Sequence, residues 1–163
     1  MNDLALHIQN DDDRAAPQAS RLELWIDSAL RQSGFGADAE LTLRIVGESE
    51  MQDLNYRYRN TPRPTNVLAF AADLPPQLGL PLLGDIVICA PLVEREAGEQ
   101  GKTMQAHWAH LVVHGTLHLL GHDHVDNTEA LLMEQLETAI LRNLGFADPY
   151  AAPVGISERP TTP

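Results

Sequence analysis

Apolar residues recur along this 163-residue chain with two spacings, one typical of helices and one typical of strands. Spacings of three and four within residues 22–30 predict an amphipathic helix that ends at Ser33-Gly34. Strict alternation within residues 41–45 predicts a half-buried strand. The same treatment of the whole chain predicts strands near 4–9, 41–45, 65–70 and 84–89, and helices near 20–33, 49–58, 90–100, 102–120 and 126–144.

The order of these elements favours the α+β class. Two strands come early and two follow, with helices between and after them, so we expect a small mixed four-stranded sheet packed against about five helices. No repeat or linker divides residues 1–150, which are predicted to form a single domain. Residues 151–163 are rich in proline and small side chains and are predicted to be a disordered tail.

Two capping patterns predict where helices begin. Ser49 followed by Gln52 resembles a capping box and predicts that the second helix begins at Ser49. Asp126 or Asn127 is a suitable first cap for the last helix. The apolar residues expected to face the core from this last helix are Leu131, Leu132, Leu136, Ile140 and Leu144.

Composition narrows the class of protein. A hydrophobic fraction of 44% fits a globular domain, and no apolar run approaches the ~18–20 residues of a membrane span. The start, Met1-Asn2-Asp3, lacks the features of a signal peptide, so a cytoplasmic location is expected. Cys89 is the single cysteine, which leaves any metal ion to histidines and carboxylates.

The charge is strongly acidic but unevenly distributed. Eleven basic against 23 acidic residues give a net charge of -12, which argues against an extended surface for nucleic acid. Arg57, Arg59 and Arg63, however, fall within seven residues with no acidic residue between them. They form either a local basic spot or three separately solvated arginines.

The segment from His114 to His124 carries the spacing of a metal site. His114 and His118 lie one turn apart on the predicted helix, so both imidazoles can reach one ion. His124 would lie about 15 Å from His114 along an unbroken helix, so the helix must end first, and Gly121 can end it. The alternative is an unbroken helix through Gly121 that presents a histidine face: His110, His114, His118 and His122.

Three histidines would leave a tetrahedral zinc ion one position for water. Imidazole ligands suit zinc but also nickel, copper and iron. The spacing is zincin-like, since it resembles the metzincin pattern H-E-x-x-H-x-x-G-x-x-H, except that Gly115 stands where those proteases have a glutamate. That glutamate is their general base, so peptide cleavage is not favoured here.

Three segments together resemble the YbeY family of endoribonucleases, or ribosomal RNA maturation factors: 59–70, 84–88 and 114–124. The resemblance implies a bacterial cytoplasmic zinc hydrolase that cuts single-stranded RNA, matures the 3′ end of small-subunit ribosomal RNA and helps remove defective ribosomes. It places the metal ligands at His114, His118 and His124, and the functionally important arginine at Arg59. The family's usual Lys-Asp pair is replaced by Thr61-Pro62, which weakens any role for those two positions.

The preferred hypothesis is therefore a zinc-dependent, single-strand-specific endoribonuclease acting in ribosomal RNA processing. His114 and Arg59 are the predicted catalytic residues, because a guanidinium can stabilise charge on an attacked phosphate. The expected partners are single-stranded and ribosomal RNA and the small ribosomal subunit with its proteins, without DNA or membrane. The general base is not identifiable. Alternatives are a ribosome-assembly binding factor with a chiefly structural metal, and a hydrolase of peptides or small amides.

Overall fold

The computed structural model describes residues 3–122 and 126–151. Its four strands and five helices confirm the predicted element order. The strands are β1 (Leu4–Gln9), β2 (Ala39–Val46), β3 (Val67–Ala71) and β4 (Leu82–Cys89). The helices are α1 (Ala19–Gln32), α2 (Glu48–Arg59), α3 (Ala90–Gln100), α4 (Met104–Leu119) and α5 (Asn127–Asn143), with a short 3-10 turn at Pro76–Leu78. None of the described helices is long and apolar enough to cross a membrane.

The strands form one mixed sheet in the order β1-β2-β4-β3. β1, β2 and β4 run parallel, whereas β3 is antiparallel to β4 and lies at the edge. The predicted α+β class and mixed four-stranded sheet are therefore confirmed. One edge of β3 remains open, and this edge borders the site described below.

The two faces of the sheet carry separate apolar clusters. Alternation along β4 directs Ile86 and Ile88 to a large cluster that includes residues of α1, α4 and α5. Val87 and Cys89 point the other way and pack with Met51 of α2. Helix α4 is thus held against the sheet by the larger core, which fixes the helix that carries the histidines.

The ends of the helices test the capping predictions. Gly121 adopts φ 95°, and the Gly121 and His122 amides donate to the carbonyls of His118 and Leu117 at 3.0 Å each. This pattern closes α4 after Leu119, so the histidine face running through Gly121 is excluded. The Asp126 side chain caps α5 as predicted, accepting from the Glu129 amide at 2.8 Å.

Two local predictions were wrong. Helix α2 begins at Glu48, and its N-cap is Gly47, without a side-chain hydrogen bond, so Ser49 does not form the predicted capping box. The predicted inward face of α5 is confirmed for Leu136, Ile140 and Leu144, which lie in or against the core. It is wrong for Leu131 and Leu132, which are 56% and 61% exposed. The residues that α5 buries are Met133, Glu137, Ile140 and Leu141. Because the predicted pattern included these two leucines on a neighbouring face, it did not reveal that the charged residue Glu137 lies in the core.

Gly115 has a packing role that its place in the histidine run did not reveal. A Cβ at this position would lie 2.9 Å from Cγ2 of Ile86 on β4, closer than carbon atoms pack. Glycine therefore lets α4 approach the sheet, which brings His114 and His118 to the open edge of β3. A side chain at this position, including a glutamate, would have to displace Ile86.

We predict that Gly115→Ala lowers the free energy of unfolding by about 1–3 kcal/mol, since overpacking outweighs the better helix propensity of alanine. Gly98 of α3 is the matched control, because a Cβ there meets nothing within 4 Å. Gly98→Ala should stabilise the protein by up to about 1 kcal/mol. Urea unfolding compares the two variants, and equal stabilisation by both would show that close packing does not require Gly115.

Candidate metal centre

His114 and His118 lie one turn apart on α4, as predicted, and their Nε2 atoms are 3.1 Å apart. Bonds of ~2.0–2.1 Å to a tetrahedral zinc ion would separate two ligand nitrogens by about 3.3 Å. The two imidazoles therefore fit one ion with little movement. Asp123 and the third predicted ligand, His124, lie outside the described residues, so the role of His124 stays a prediction.

A buried carboxylate supports His114 from behind. Glu137 of α5 is fully buried, and its Oε1 accepts a hydrogen bond from His114 Nδ1. Its Oε2 accepts from the hydroxyl of Tyr150. Burial by itself raises the pKa of Glu137, but His110, His114 and Tyr150 beside the carboxylate more than offset this and lower it to about 2. The residue is therefore an ionised acceptor in the core.

This arrangement fixes the tautomer of His114. An ionised carboxylate can only accept, so the proton of the imidazole lies on Nδ1 and the lone pair lies on Nε2. The Nε2 atom is the one that faces His118. A metal-bound histidine commonly donates its other ring N–H to a carboxylate, which orients the ring and raises its basicity. Glu137 has the position and charge required for this role.

His110 completes the group around Glu137. Its Nε2 lies 3.3 Å from the Tyr150 hydroxyl oxygen and 3.6 Å from Glu137 Oε2. Burial and the adjacent Glu137 carboxylate raise the pKa of Tyr150, so its hydroxyl keeps its proton for the hydrogen bond to Glu137. His110 therefore lies beside the carboxylate that supports His114.

Two groupings of residues could therefore hold a metal ion. His110, His114 and Glu137 have potential ligand atoms within 4.8 Å of one another. Both oxygens of Glu137 already accept hydrogen bonds, however, and an ion among these three would have to break them. An ion between the Nε2 atoms of His114 and His118 would leave both hydrogen bonds of Glu137 in place.

A cleft of about 290 Å³ opens in front of the two histidines and also includes Arg59. Arg59, the last residue of α2, reaches the open edge of β3, where its Nη2 donates to the Ala69 carbonyl at 3.3 Å. Its Cζ lies 5.5 Å from the centre of the Phe70 ring, within cation–π range. The cleft is lined by Arg59, Thr65, Asn66, Val67, Leu68, Ala69, His114, Gly115 and His118.

Three arginines lie close together in sequence at the end of α2 and just after it, and one of them, Arg59, lines the cleft. Within the described ranges, Arg57, Arg59 and Arg63 form no ion pair with a carboxylate, and all three are exposed. Four other arginines do pair with carboxylates: Arg14, Arg31, Arg44 and Arg95. Arg59 therefore brings a positive charge that no described carboxylate pairs with to the cleft of a chain whose net charge is -12.

A second polar network reaches the cleft through Asn66. The Nδ2 of Asn66 donates to Glu96 Oε1 at 3.0 Å, and the same oxygen lies 2.8 Å from Nε2 of His107. Burial lowers the pKa of His107, and the Glu96 carboxylate offsets this only in part, so the imidazole is neutral and donates from Nε2. The network links the β3 edge to α3 and α4.

A larger hollow of about 400 Å³ lies between the start of α4 and the end of α5, and no histidine lines it. Lys102 Nζ donates to the Pro149 carbonyl at 3.1 Å beside it. Asp148 Oδ1 accepts from the Tyr150 amide at 2.8 Å. These contacts anchor residues 148–150 and hold Tyr150 against Glu137.

Sequence reasoning missed Glu137, Tyr150 and Asn66. A signal for Glu137 existed, because it lies four residues from both Met133 and Leu141, which form the buried face of α5. Its pairing with His114 spans 23 residues and had no local signature.

We predict that Glu137→Ala lowers metal affinity about 10- to 100-fold, because His114 loses the acceptor that fixes its tautomer. Glu137→Gln should have a smaller effect, since an amide oxygen still accepts from Nδ1. Competition with a chromogenic chelator measures the affinity. Glu99→Gln, at an exposed glutamate of α3, is the matched control. An unchanged affinity in Glu137→Ala, with the fold intact by circular dichroism, would exclude this supporting role.

Comparison with known proteins identifies one family. The family model described as Endoribonuclease YbeY matches residues 7–145. An endoribonuclease YbeY of Pseudomonas putida (strain W619) is 54% identical over 149 residues, covering 91% of this chain and 94% of the relative. That of Pseudomonas syringae pv. tomato is 52% identical and covers 91% and 89%.

A solved structure shares the fold. The solution structure of TM1509 from Thermotoga maritima aligns with a TM-score of 0.56 at 22% identity, covering 91% of this chain and 99% of that one. The family resemblance predicted from the three segments is confirmed by the family model and the curated relatives together. This chain belongs to the YbeY family of endoribonucleases.

Proposed function

We propose that this protein is a metal-dependent endoribonuclease that cuts single-stranded RNA in the cleft between α4 and the edge strand β3. The observation that carries the proposal is that Arg59 lines the same cleft as His114 and His118. Two imidazoles with Nε2 atoms 3.1 Å apart can share an ion, and a guanidinium close by that pairs with no described carboxylate can bind phosphate. The relatives that match most of the chain carry the name endoribonuclease.

The proposed metal ligands are His114, His118 and His124, and the proposed metal is zinc. Neutral imidazole nitrogens suit zinc, and three of them leave a coordination position open. When bound, such an ion supplies Lewis-acid chemistry: it polarises a phosphoryl oxygen and makes water more acidic. The protein's own contribution is to hold the Nε2 lone pair of His114 outward, through the hydrogen bond from Nδ1 to Glu137.

Arg59 is proposed to stabilise the charge that develops on the attacked phosphate. Its position is constrained by the Ala69 carbonyl and the face of Phe70, so the guanidinium is held at the cleft. Two parallel hydrogen bonds from a guanidinium match two non-bridging phosphate oxygens, and these bonds strengthen as charge builds. A lysine retains the charge but loses the second bond.

Peptide or amide hydrolysis is less well supported. The position after His114, where metzincins have their general base, is a glycine that has no room for a side chain. The carboxylate that contacts His114 belongs to Glu137, which is fully buried, and both of its oxygens accept hydrogen bonds. It therefore cannot take a proton from a water molecule in the cleft.

The proposed biological substrate is ribosomal RNA, at the 3′ end of the small-subunit RNA, with a further role in ribosome quality control in the cytoplasm. A net charge of -12 disfavours broad contact with RNA, but Arg59 in the cleft, which pairs with no described carboxylate, can make a local phosphate contact. The acidic remainder of the surface is complementary to basic ribosomal proteins, which we propose as partners that bring the enzyme to its substrate.

We expect His114→Ala to lose both the metal and the cleavage of a single-stranded RNA. Arg59→Lys should keep the metal but cut at least about tenfold more slowly, because one charge-assisted hydrogen bond to the transition state is worth ~1.5–3 kcal/mol. Arg59→Glu should be slower still. Arg21→Lys, at an exposed arginine of α1, is the control. Wild-type cleavage rates in the metal-free His114→Ala protein would refute the assignment.

The rival function is a ribosome-assembly factor with a chiefly structural metal, and the acidic surface is the observation that favours it. Chelation separates the two. The cores on both faces of the sheet pack without the histidines' Nε2 atoms, so we expect chelation to abolish cleavage while the circular dichroism spectrum stays unchanged. Cooperative unfolding on chelation would favour the structural role.

A further inference from the structure

The cleft contains a polar group that the proposed chemistry does not use. Asn66 precedes β3, lines the cleft with Arg59 and His114, and is held at both ends. Its backbone carbonyl accepts from the Cys89 amide at 3.0 Å. Its side-chain Nδ2 donates to Glu96 Oε1 at 3.0 Å.

The identity of the acceptor determines which end of the Asn66 amide faces the cleft. A carboxylate oxygen can only accept, so the NH₂ group must face Glu96, and the carbonyl Oδ1 is the opposite end. Oδ1 forms no hydrogen bond with the described residues, and Asn66 lines the cleft, so Oδ1 is the end of the amide that is available to a ligand. The side chain therefore presents a fixed acceptor to whatever occupies the cleft.

Glu96 is itself held in place by a buried group. His107 is 3% exposed, and its Nε2–H donates to the Glu96 oxygen that Asn66 also uses, at 2.8 Å. Because His107 is fixed within α4 and Glu96 within α3, the shared oxygen cannot move freely. Residues of two helices, Glu96 of α3 and His107 of α4, therefore orient the Asn66 amide.

Single-stranded RNA offers a specific donor to such an acceptor. Phosphate oxygens are acceptors and would be repelled by Oδ1. The only donor on the RNA backbone is the ribose 2′-hydroxyl, which every ribonucleotide has and DNA lacks. We propose that Asn66 accepts a hydrogen bond from a ribose 2′-hydroxyl of the bound strand and thereby distinguishes RNA from DNA, with Glu96 and His107 as positioning residues. This inference rests on the proposed function.

The test compares three single strands of one base sequence: RNA, DNA and 2′-fluoro RNA, whose fluorine cannot donate. Rapid-mixing fluorescence anisotropy with the metal-loaded protein measures affinity before cleavage. The wild type should bind RNA about three- to tenfold more tightly than the 2′-fluoro strand, as expected for one hydrogen bond. Asn66→Ala should lose this preference, while its affinity for the 2′-fluoro strand stays within about twofold.

Two further variants complete the design. Asn143→Ala removes an amide that bonds Gln32 at 2.7 Å, at the far end of α5, and should keep the RNA preference. Glu96→Ala should reduce the preference only partly, because Asn66 remains but can rotate. A purely structural role for Glu96 would instead weaken the binding of all three strands together.

Several results would overturn the proposal. Equal weakening of RNA and 2′-fluoro RNA by Asn66→Ala would mean that Asn66 shapes the cleft without reading the hydroxyl. Unchanged binding with a lowered kcat would place Asn66 at the reacting atoms instead. Failure of the proposed function is measured separately, as the absence of RNA cleavage by the wild type. The ratio of affinities for RNA and 2′-fluoro RNA can be determined whether or not the protein cuts RNA.

Discussion

The hydrogen bond between buried Glu137 and His114 is the constraint on which the site depends. An ionised carboxylate in a protein core is destabilising by several kcal/mol unless its oxygens are bonded, so α4, α5 and Tyr150 must keep their relative positions. In return, the carboxylate directs the Nδ1 proton of His114 inward and its Nε2 lone pair toward His118. The packing of two helices and the chemistry of one imidazole are therefore set by the same contact.

The close packing of α4 on the sheet supplies the second requirement. Gly115 lets the helix lie against Ile86 of β4, which places the histidines beside the open edge of β3. Arg59 reaches the same edge from α2 through the Ala69 carbonyl. The cleft thus combines groups from two layers of the fold. Local positive charge at this point is compatible with RNA binding by a chain whose net charge is -12.

Local sequence signals predicted most of the fold. Periodicity located all four strands and five helices, and Gly121 ended α4 because a positive φ is easily adopted only by glycine. Spacing also predicted that the His114 and His118 imidazoles would share a site. The first turn of α2 was misjudged, because Gly47 caps that helix without any side chain to signal it.

The supporting residues of the site could not be predicted in the same way. Glu137 meets His114 across 23 residues, and Asn66 meets Glu96 across 30, so both contacts arise only from tertiary packing. The apolar spacing of α5 predicts Leu131 and Leu132 to face inward and gives no sign that Glu137 is buried. In the sequence, Gly115 stands where metzincins have a general base. The folded chain shows in addition that the lack of a side chain at Gly115 lets α4 lie close to Ile86 of β4.

We propose that RNA cleavage requires one metal ion, held at His114 and His118 in the cleft that Arg59 also lines. The most direct measurement is a titration of zinc into metal-free protein, following bound metal and cleavage of a single-stranded RNA in the same samples. We expect activity to rise in proportion to bound zinc and to reach its plateau at one equivalent per chain. Full activity without metal, or activity that appears only after a second equivalent, would contradict it.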